Sequence, residues 1–466
     1  GNVDYLIFAR AFQGIGGGII TANAFTIVGD LFAARERGKW QGMIGAVFGL
    51  SSVVGPLLGG WLTDGHGLFG IMTDWRWTFY INVPVAILAF TVIAIFCPPL
   101  KHDKKPRVDY LGAALLTLGL GILILAVDNT ESIFKGFLDA SGWSLAGLRV
   151  LMFSIVAAAV AGFIWVEHRA KEPILPLAFF KNRTFMLIMG IAMLFGSAFM
   201  GSILYLTQFN QQVFGATPTQ SGLMLLPMIG GLVFTSIGSG QIISRTGRYK
   251  IFMQIGIVLA TVMVGLLSTL APESSYVYEA IIMVFLGAGL GVVMPVMNLA
   301  VQNEFKQRDL GAATSSSQLF RSLGSTVGVA IFGAMLTAGV TSSLGNISQD
   351  AYVQSLAKSP AVQQIGNLND SNTLLNLNMP STRQKITDGF NKSVASLPVA
   401  IKETVTKQFT DNQAAYSNKV THAFSDSLQR IFLTSTGLMA AAAVLVFSLK
   451  DKQLQSASPQ ETPGEV

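Results

Sequence analysis

The chain has 466 residues, 51% hydrophobic and 12% charged, with a mean hydropathy of +0.53, whereas a soluble domain carries about 25% charged residues. Such a composition excludes a soluble enzyme, a nucleic-acid module and a secreted disulfide scaffold, and it points to many bilayer spans. The net charge of +6 would suit nucleic acid, but basic residues also collect in cytoplasmic loops, so topology is the first test.

Eleven segments are apolar enough to cross a bilayer, at roughly 20 residues each. In chain order they cover 5–31, 40–63, 78–97, 110–127, 148–166, 185–206, 221–243, 251–270, 278–301, 312–340 and 431–449. Each must be helical, because a backbone in lipid has to satisfy its own hydrogen bonds. The expected class is an all-α membrane protein. Basic residues fall in every second loop. Arg35, Arg37 and Lys39 follow the first span, and Lys101, Lys104, Lys105 and Arg107 follow the third. Arg169, Lys171, Lys181 and Arg183 follow the fifth, Arg245, Arg248 and Lys250 the seventh, Lys306 and Arg308 the ninth, and Lys450 and Lys452 the last. The opposite short loops hold Arg76 and Lys135. The basic set is therefore expected in the cytoplasm, with Gly1 outside and the C-terminus inside, and no nucleic-acid partner is expected. Cys97 is alone, and His66, His102, His168 and His422 are scattered, so no disulfide, metal or cofactor is expected.

The chain matches itself without gaps at an offset of 273 residues. Phe12 falls on Phe285, Gly14 on Gly287, Gly18 on Gly291, Arg35 on Arg308, Gly38 on Gly311 and Gly55 on Gly328. The first two spans thus pair with the ninth and tenth in the same orientation, as parallel repeats of a two-bundle transporter do. Three spans precede the ninth within its half, and none precedes the first. The expectation is a fragment lacking three helices.

Local motifs agree. The first span holds Arg10-Ala-Phe-Gln13-Gly14-Ile-Gly16-Gly17-Gly18, and the second holds Gly55-Pro56-Leu57-Leu58-Gly59-Gly60. Then come Trp75-Arg76-Trp77 through Asn82-Val83-Pro84, Gln211-Gln212-Val213-Phe214-Gly215, and a loop running from Gly240 to Lys250. Together these resemble the major facilitator superfamily, and within it the fourteen-spanner drug:proton antiporters of the EmrB/QacA type. The resemblance implies a two-bundle fold with a linker pair of extra helices. It implies that Gly14, Gly18, Gly55, Pro56, Gly59 and Gly60 serve antiporter-motif helix packing, and that Gly240, Arg245, Gly247 and Arg248 form the cytoplasmic loop motif. The expected divisions are 1–97 for the rest of the first bundle, 98–184 for the linker and its two helices, 185–340 for the second bundle, 341–430 for an outer loop, 431–450 for the last span and 451–466 for a tail.

In the second span Gly42, Gly45, Gly49, Ser52 and Gly55 recur at three- or four-residue spacing, which makes a bare face for close helix approach. Arg10 and Arg321 lie inside spans, where an arginine costs at least about 2.5 kcal/mol, and such residues face a bundle interior. With Gln13, Asn23, Asn82, Tyr205, Gln208, Gln211, Asn298 and Gln318 they are the expected lining of a substrate or proton pathway, although interhelical hydrogen bonding explains each singly. No Asp or Glu lies deep in a span, so the proton carrier is expected on the absent helices.

The segment 341–430 carries Leu397, Ile401, Val405, Phe409, Tyr416, Val420, Phe424, Leu428 and Ile431 at near-helical spacing. It is expected to form an extracellular helical hairpin, turning in the Pro360–Pro380 region and able to dock an envelope partner. The functional expectation is a monomeric, non-enzymatic exporter in a bacterial inner or plasma membrane. It would move hydrophobic or cationic small molecules against protons. The alternatives are an exporter of one lipid, siderophore or metabolite, and a non-transporting receptor or scaffold.

Overall fold

All eleven apolar segments are helical in the computed structural model, which describes residues 3–63, 65, 67–68, 70–97, 109–127, 130–344, 350–357, 377–395 and 398–454. The helices are α1 Val3–Leu31, α2 Ala34–Thr63, α3 Trp77–Tyr80, α4 Asn82–Phe96, α5 Tyr110–Val127, α6 Thr130–Ser141, α7 Leu145–Arg169, α8 Arg183–Gln212, α9 Pro218–Met224 and α10 Leu226–Thr246. They continue with α11 Lys250–Leu267, α12 Tyr276–Gln302, α13 Leu310–Leu344, α14 Ala351–Ala357, α15 Pro380–Ser393 and α16 Val399–Phe447. A two-residue hairpin, β1 Gly67–Leu68 with β2 Ile71–Met72, sits between α2 and α3. Among the expected features, the basic loop 101–107, His66, His102, Pro360 and Leu397, the tail from 455 and the Pro56 side chain lie outside the described residues.

Local chemistry sets the helix ends. Asn182 caps α8 by accepting from the Thr184 and Phe185 amides, and Ser144 caps α7. Thr217 and Gln220 form a reciprocal capping box at α9. Gly247, at φ +71°, supplies the left-handed residue that ends α10, and its amide donates to the Ile243 carbonyl at 2.7 Å.

Six helices, α8, α10, α11, α12, α13 and α16, pack into one bundle with a continuous apolar core. Small residues bring them together. A Cβ on Gly287 or Gly291 of α12 would strike the carbonyl of Met228 or Leu232 on α10, and one on Gly324 of α13 would strike Met193 on α8. Ser197 Oγ donates to the Gly324 carbonyl at 2.7 Å, and Ser325 Oγ to the Gly196 carbonyl at 3.1 Å. The first half is covered far less. α2 lies along α10 and α12, α1 touches α13 and α2, and α5 pairs with α7. α4 has no buried residue.

The segment after α13 is helical where described, and it differs from a two-armed hairpin. One arm is the start of α16, a single 49-residue helix that runs on through the last span. Against it lie two short pieces, α14 and α15. Phe390 stacks on Phe409 at 3.9 Å, Tyr352 packs on Phe409 and Tyr416, and Arg383 Nη1 donates to Ser417 Oγ at 2.7 Å. The apolar stripe of α16 thus finds its cover in α15 and Tyr352. The Tyr352 phenol, raised by burial, accepts from Gln413 at 2.9 Å.

Candidate functional site

The seam between α2 and the six-helix bundle is built from glycine. A Cβ on Gly42 would collide with the Ser236 carbonyl oxygen of α10, and one on Gly240 would sit 2.6 Å from the Gly38 carbonyl. Gly45 faces Ser236 Oγ and Pro295, and Gly49 faces Leu232. Farther along α2 the contact fades: nothing lies within 4 Å of a Cβ on Gly55, while Gly59 reaches Thr78 and Gly60 reaches Thr219. Gly14 and Gly18 of α1 likewise meet nothing within 4 Å.

Arg321 stands on this seam. It is buried on α13, its Nε and Nη2 both donate to Gln318 Oε1 (3.2 Å from Nε), and its guanidinium carbon lies 5.5 Å from the centre of the Phe48 ring on α2. Among the described residues it has no anionic partner. A guanidinium held by one amide oxygen and one aromatic face keeps donors for an anion or a carbonyl. Arg10 is placed differently. It is exposed on α1, donates to Gln13 at 2.9 Å and lies 5.7 Å from the Phe79 ring.

The other pathway candidates do not converge. Tyr205 is buried and donates to the Val329 carbonyl at 3.2 Å, a tie between α8 and α13. Asn298 is buried in α12 with neither amide atom bonded. Gln208 and Gln211 are half-buried near the end of α8, and Asn23 is exposed on α1. Exposed Asn82 donates to the Thr78 carbonyl and holds the α3–α4 junction.

Polar residues that the sequence did not single out join the two repeats at the end bearing the basic loops. Gln41 of α2 and Gln302 of α12 both donate to the Phe25 carbonyl of α1, at 3.3 and 3.1 Å. Gln41 also donates to Gln302, and Gln302 to Thr314 on α13. Arg37 donates to the Gly29 and Phe32 carbonyls and to Gln307, which in turn donates to the Gly29 carbonyl and to Asp30. Gly29 and Gln302, like Gln41 and Thr314, hold matching positions in the two repeats. The offset of 273 was the signal that could have found them.

The loop motif lies alongside. Gly240 packs on α2, Ser244 Oγ donates to the Arg35 carbonyl at 2.7 Å, and exposed Arg245 and Arg248 flank the Gly247 turn. The Gly247 carbonyl accepts from the Leu454 amide, and Lys452 pairs with Glu304 at 2.7 Å. Tyr249, in the short α10–α11 connection, is buried, and burial pushes its phenol up to about 12. Another buried acid went unread in the sequence. Glu279, in the first turn of α12, is fully enclosed.

Residues 1–329 match the family model described as Major Facilitator Superfamily. The chain is 38% identical over 363 residues to an MFS-type transporter of Mycobacterium tuberculosis (strain ATCC 25618 / H37Rv), which covers 78% of this chain and 50% of that protein. It is 33% identical over 473 residues to the multidrug transporter protein MdtP of Bacillus subtilis (strain 168), across 99% of this chain and 79% of MdtP. To multidrug resistance protein 3 of the same strain it is 35% identical over 368 residues, 78% of this chain and 68% of that one. The chain therefore spans about half the length of the mycobacterial relative it matches.

Proposed function

The chain belongs to the major facilitator superfamily, and we propose that it serves a proton-coupled multidrug exporter of the fourteen-spanner EmrB/QacA type. In this reading hydrophobic or cationic small molecules leave the cell against proton influx, with no enzymatic step. The protein acts as a monomer in the bacterial inner or plasma membrane with its C-terminus in the cytoplasm. The segments 1–97 and 185–340 with 431–450 act as the two bundles, and 98–184 as the linker. The seam carries this reading: a buried Arg321–Gln318 pair turned toward Phe48 sits where α2 of one repeat meets the bundle of the other. The names of the two Bacillus relatives support the substrate class.

Three further helices against α1 and α4 belong to the same proposal. Arg10, Gln13 and the Gly14–Gly18 strip are uncovered, and lipid contact would be costly for the two polar side chains. Efflux of a cationic dye from cells expressing the complete gene tests the proposal. Export abolished by a protonophore is the expected result. Unchanged accumulation of every dye tried would sink the multidrug reading.

A further inference from the structure

Glu279 and Asn210 are each 0% exposed. They meet where the end of α8 packs against the start of α12, and Asn210 is the amide that acts on the Glu279 carboxyl. Neither side chain completes a hydrogen bond: both carboxyl oxygens and both amide atoms are enclosed and unbonded. Two such groups in one place ask for something that the closed arrangement does not supply.

The elements around α12 bring no counter-charge. On α8 the ionisable residues are Arg183, at the opposite end, and Tyr205, whose hydroxyl donates to the Val329 carbonyl of α13, and α9 has none. α10 carries Arg245 at its far end, α11 Lys250 at its far end, and α13 Arg321 in mid-helix. Arg35, Glu36, Arg37 and Lys39 of α2 stand at the basic-loop end. In the loop before α12, Glu273 is exposed and faces His422 at 3.5 Å. The phenol of Tyr276 lies within electrostatic reach of Glu279, and its hydroxyl is occupied by the Met224 carbonyl at 3.1 Å. An ionised carboxylate here would need water or a cation, whereas a neutral carboxyl costs less to bury although its O–H and C=O still ask for partners.

A surface hollow lies near the pair without reaching either side chain. A cavity of about 520 Å³ is lined by Phe214, Ala216, Gln220, Leu223, Met224 and Tyr276. The Ala216 amide donates to the Asn210 carbonyl at 3.0 Å, so its wall and the buried pair share one backbone link. By the placement of the basic loops this is the outer end of the bundle.

We propose that Glu279 is a proton-binding site that works the outer mouth. Its carboxylate takes a proton from water in this cavity as α8 closes on α12. The neutral acid returns that proton to water when the two helix ends part and Asn210 and solvent receive the charge. Protonation favours the closed mouth, and ionisation the open one. The proposal rests on the transporter reading and adds an acid within the described helices.

The test uses the complete gene product in liposomes, with Cys97→Ser and a reporter Ala216→Cys labelled by a membrane-impermeant maleimide. Rates are taken relative to an exposed Val399→Cys control at a series of pH values from about 5.5 to about 8.5, with each pH compared against the control. The relative rate should rise several-fold with pH and become slow and flat in Glu279→Gln. A pH response that survives Glu279→Gln, or a parent without one, overturns the proposal. If Glu279→Gln fails to assemble, infrared difference spectra of the parent decide. A carboxylic acid C=O band that is lost at high pH and shifted by Asn210→Ala supports the site, and its absence refutes it. Dye efflux is followed separately. Gradient-independent efflux with an intact labelling response removes the antiport reading alone, and antiport without that response removes the role of Glu279 alone.

Discussion

The hydroxyl of Ser236 donates a 2.8 Å hydrogen bond to the carbonyl of Gly42, tying α10 to α2 at a point with no room for a side chain between them. The halves of the molecule are in contact through backbone there. Whatever separates α2 from α10 must break this bond and expose both partners.

Gly42→Val should therefore be poorly tolerated. Its side chain would push against the Ser236 carbonyl, and overpacking of this kind costs about 1–3 kcal/mol. Gly55→Ala should be nearly neutral, since its Cβ meets nothing within 4 Å. Thermal melting of the two variants in detergent checks the contrast, and equal losses would remove the assigned seam.

Gln318→Leu would leave the Arg321 guanidinium buried over Phe48 without its acceptor. Losing a hydrogen bond to a buried charged group costs about 1.5–3 kcal/mol, so a drop in melting temperature is expected. Arg321→Gln should insert and fold near normally but lose dye efflux. Arg321→Lys should rescue part of it, because lysine keeps the charge and loses the planar fork. Arg10→Gln tests the exposed arginine in the same assay. An Arg321→Gln protein missing from the membrane would assign the residue to folding.

Gln41 and Gln302 share the Phe25 carbonyl and bond each other, so their losses should not add. Gln41→Leu and Gln302→Leu are each expected to cost about 1–3 kcal/mol, the cost of stranded buried polar atoms. The double variant should cost less than the sum, by at least roughly 0.5 kcal/mol. Simple additivity in a double-mutant cycle would show that the two side chains act independently.

Thr387 and Gln413 face each other at 3.2 Å between α15 and α16. With Cys97 replaced, Thr387→Cys with Gln413→Cys should crosslink under mild external oxidant in intact spheroplasts. Rapid cleavage of the whole segment by added protease, without crosslinking, would show that the arm does not hold.

How far these features could be read from sequence depends on whether their cause is local. The eleven spans were legible because each needs about 20 apolar residues in a row, and the structure extends them by a few residues at most ends. The stripe leading to Ile431 announced the first part of α16, since its apolar residues recur at helical spacing. What was not legible depended on distant partners. Glu279 falls in the first turn of a span, and the packing of neighbouring helices, with Asn210 of α8 beside it, is what buries it. Gln41 and Gln302 look like ordinary polar residues until α1 offers both the Phe25 carbonyl. Arg10 and Arg321 look alike in the sequence, yet one is uncovered and the other enclosed, because α8 and α16 pack along α13 and little surrounds α1. The short α6 is amphipathic but too short and too polar to count as a span, and it was missed along with the split after Ile81.

The uninterrupted α16 has a mechanical consequence. Its 49 residues make a rod about 74 Å long, more than twice the roughly 30 Å of a hydrocarbon core. Its first half is clasped by Phe390, Arg383 and Tyr352, and just past its other end Lys452 is tethered to Glu304. A stiff beam held at both ends converts a tilt imposed at one end into a sideways sweep at the other. A crosslink at the α15 clasp is therefore expected to slow any motion that the Glu304 loop shares with this helix.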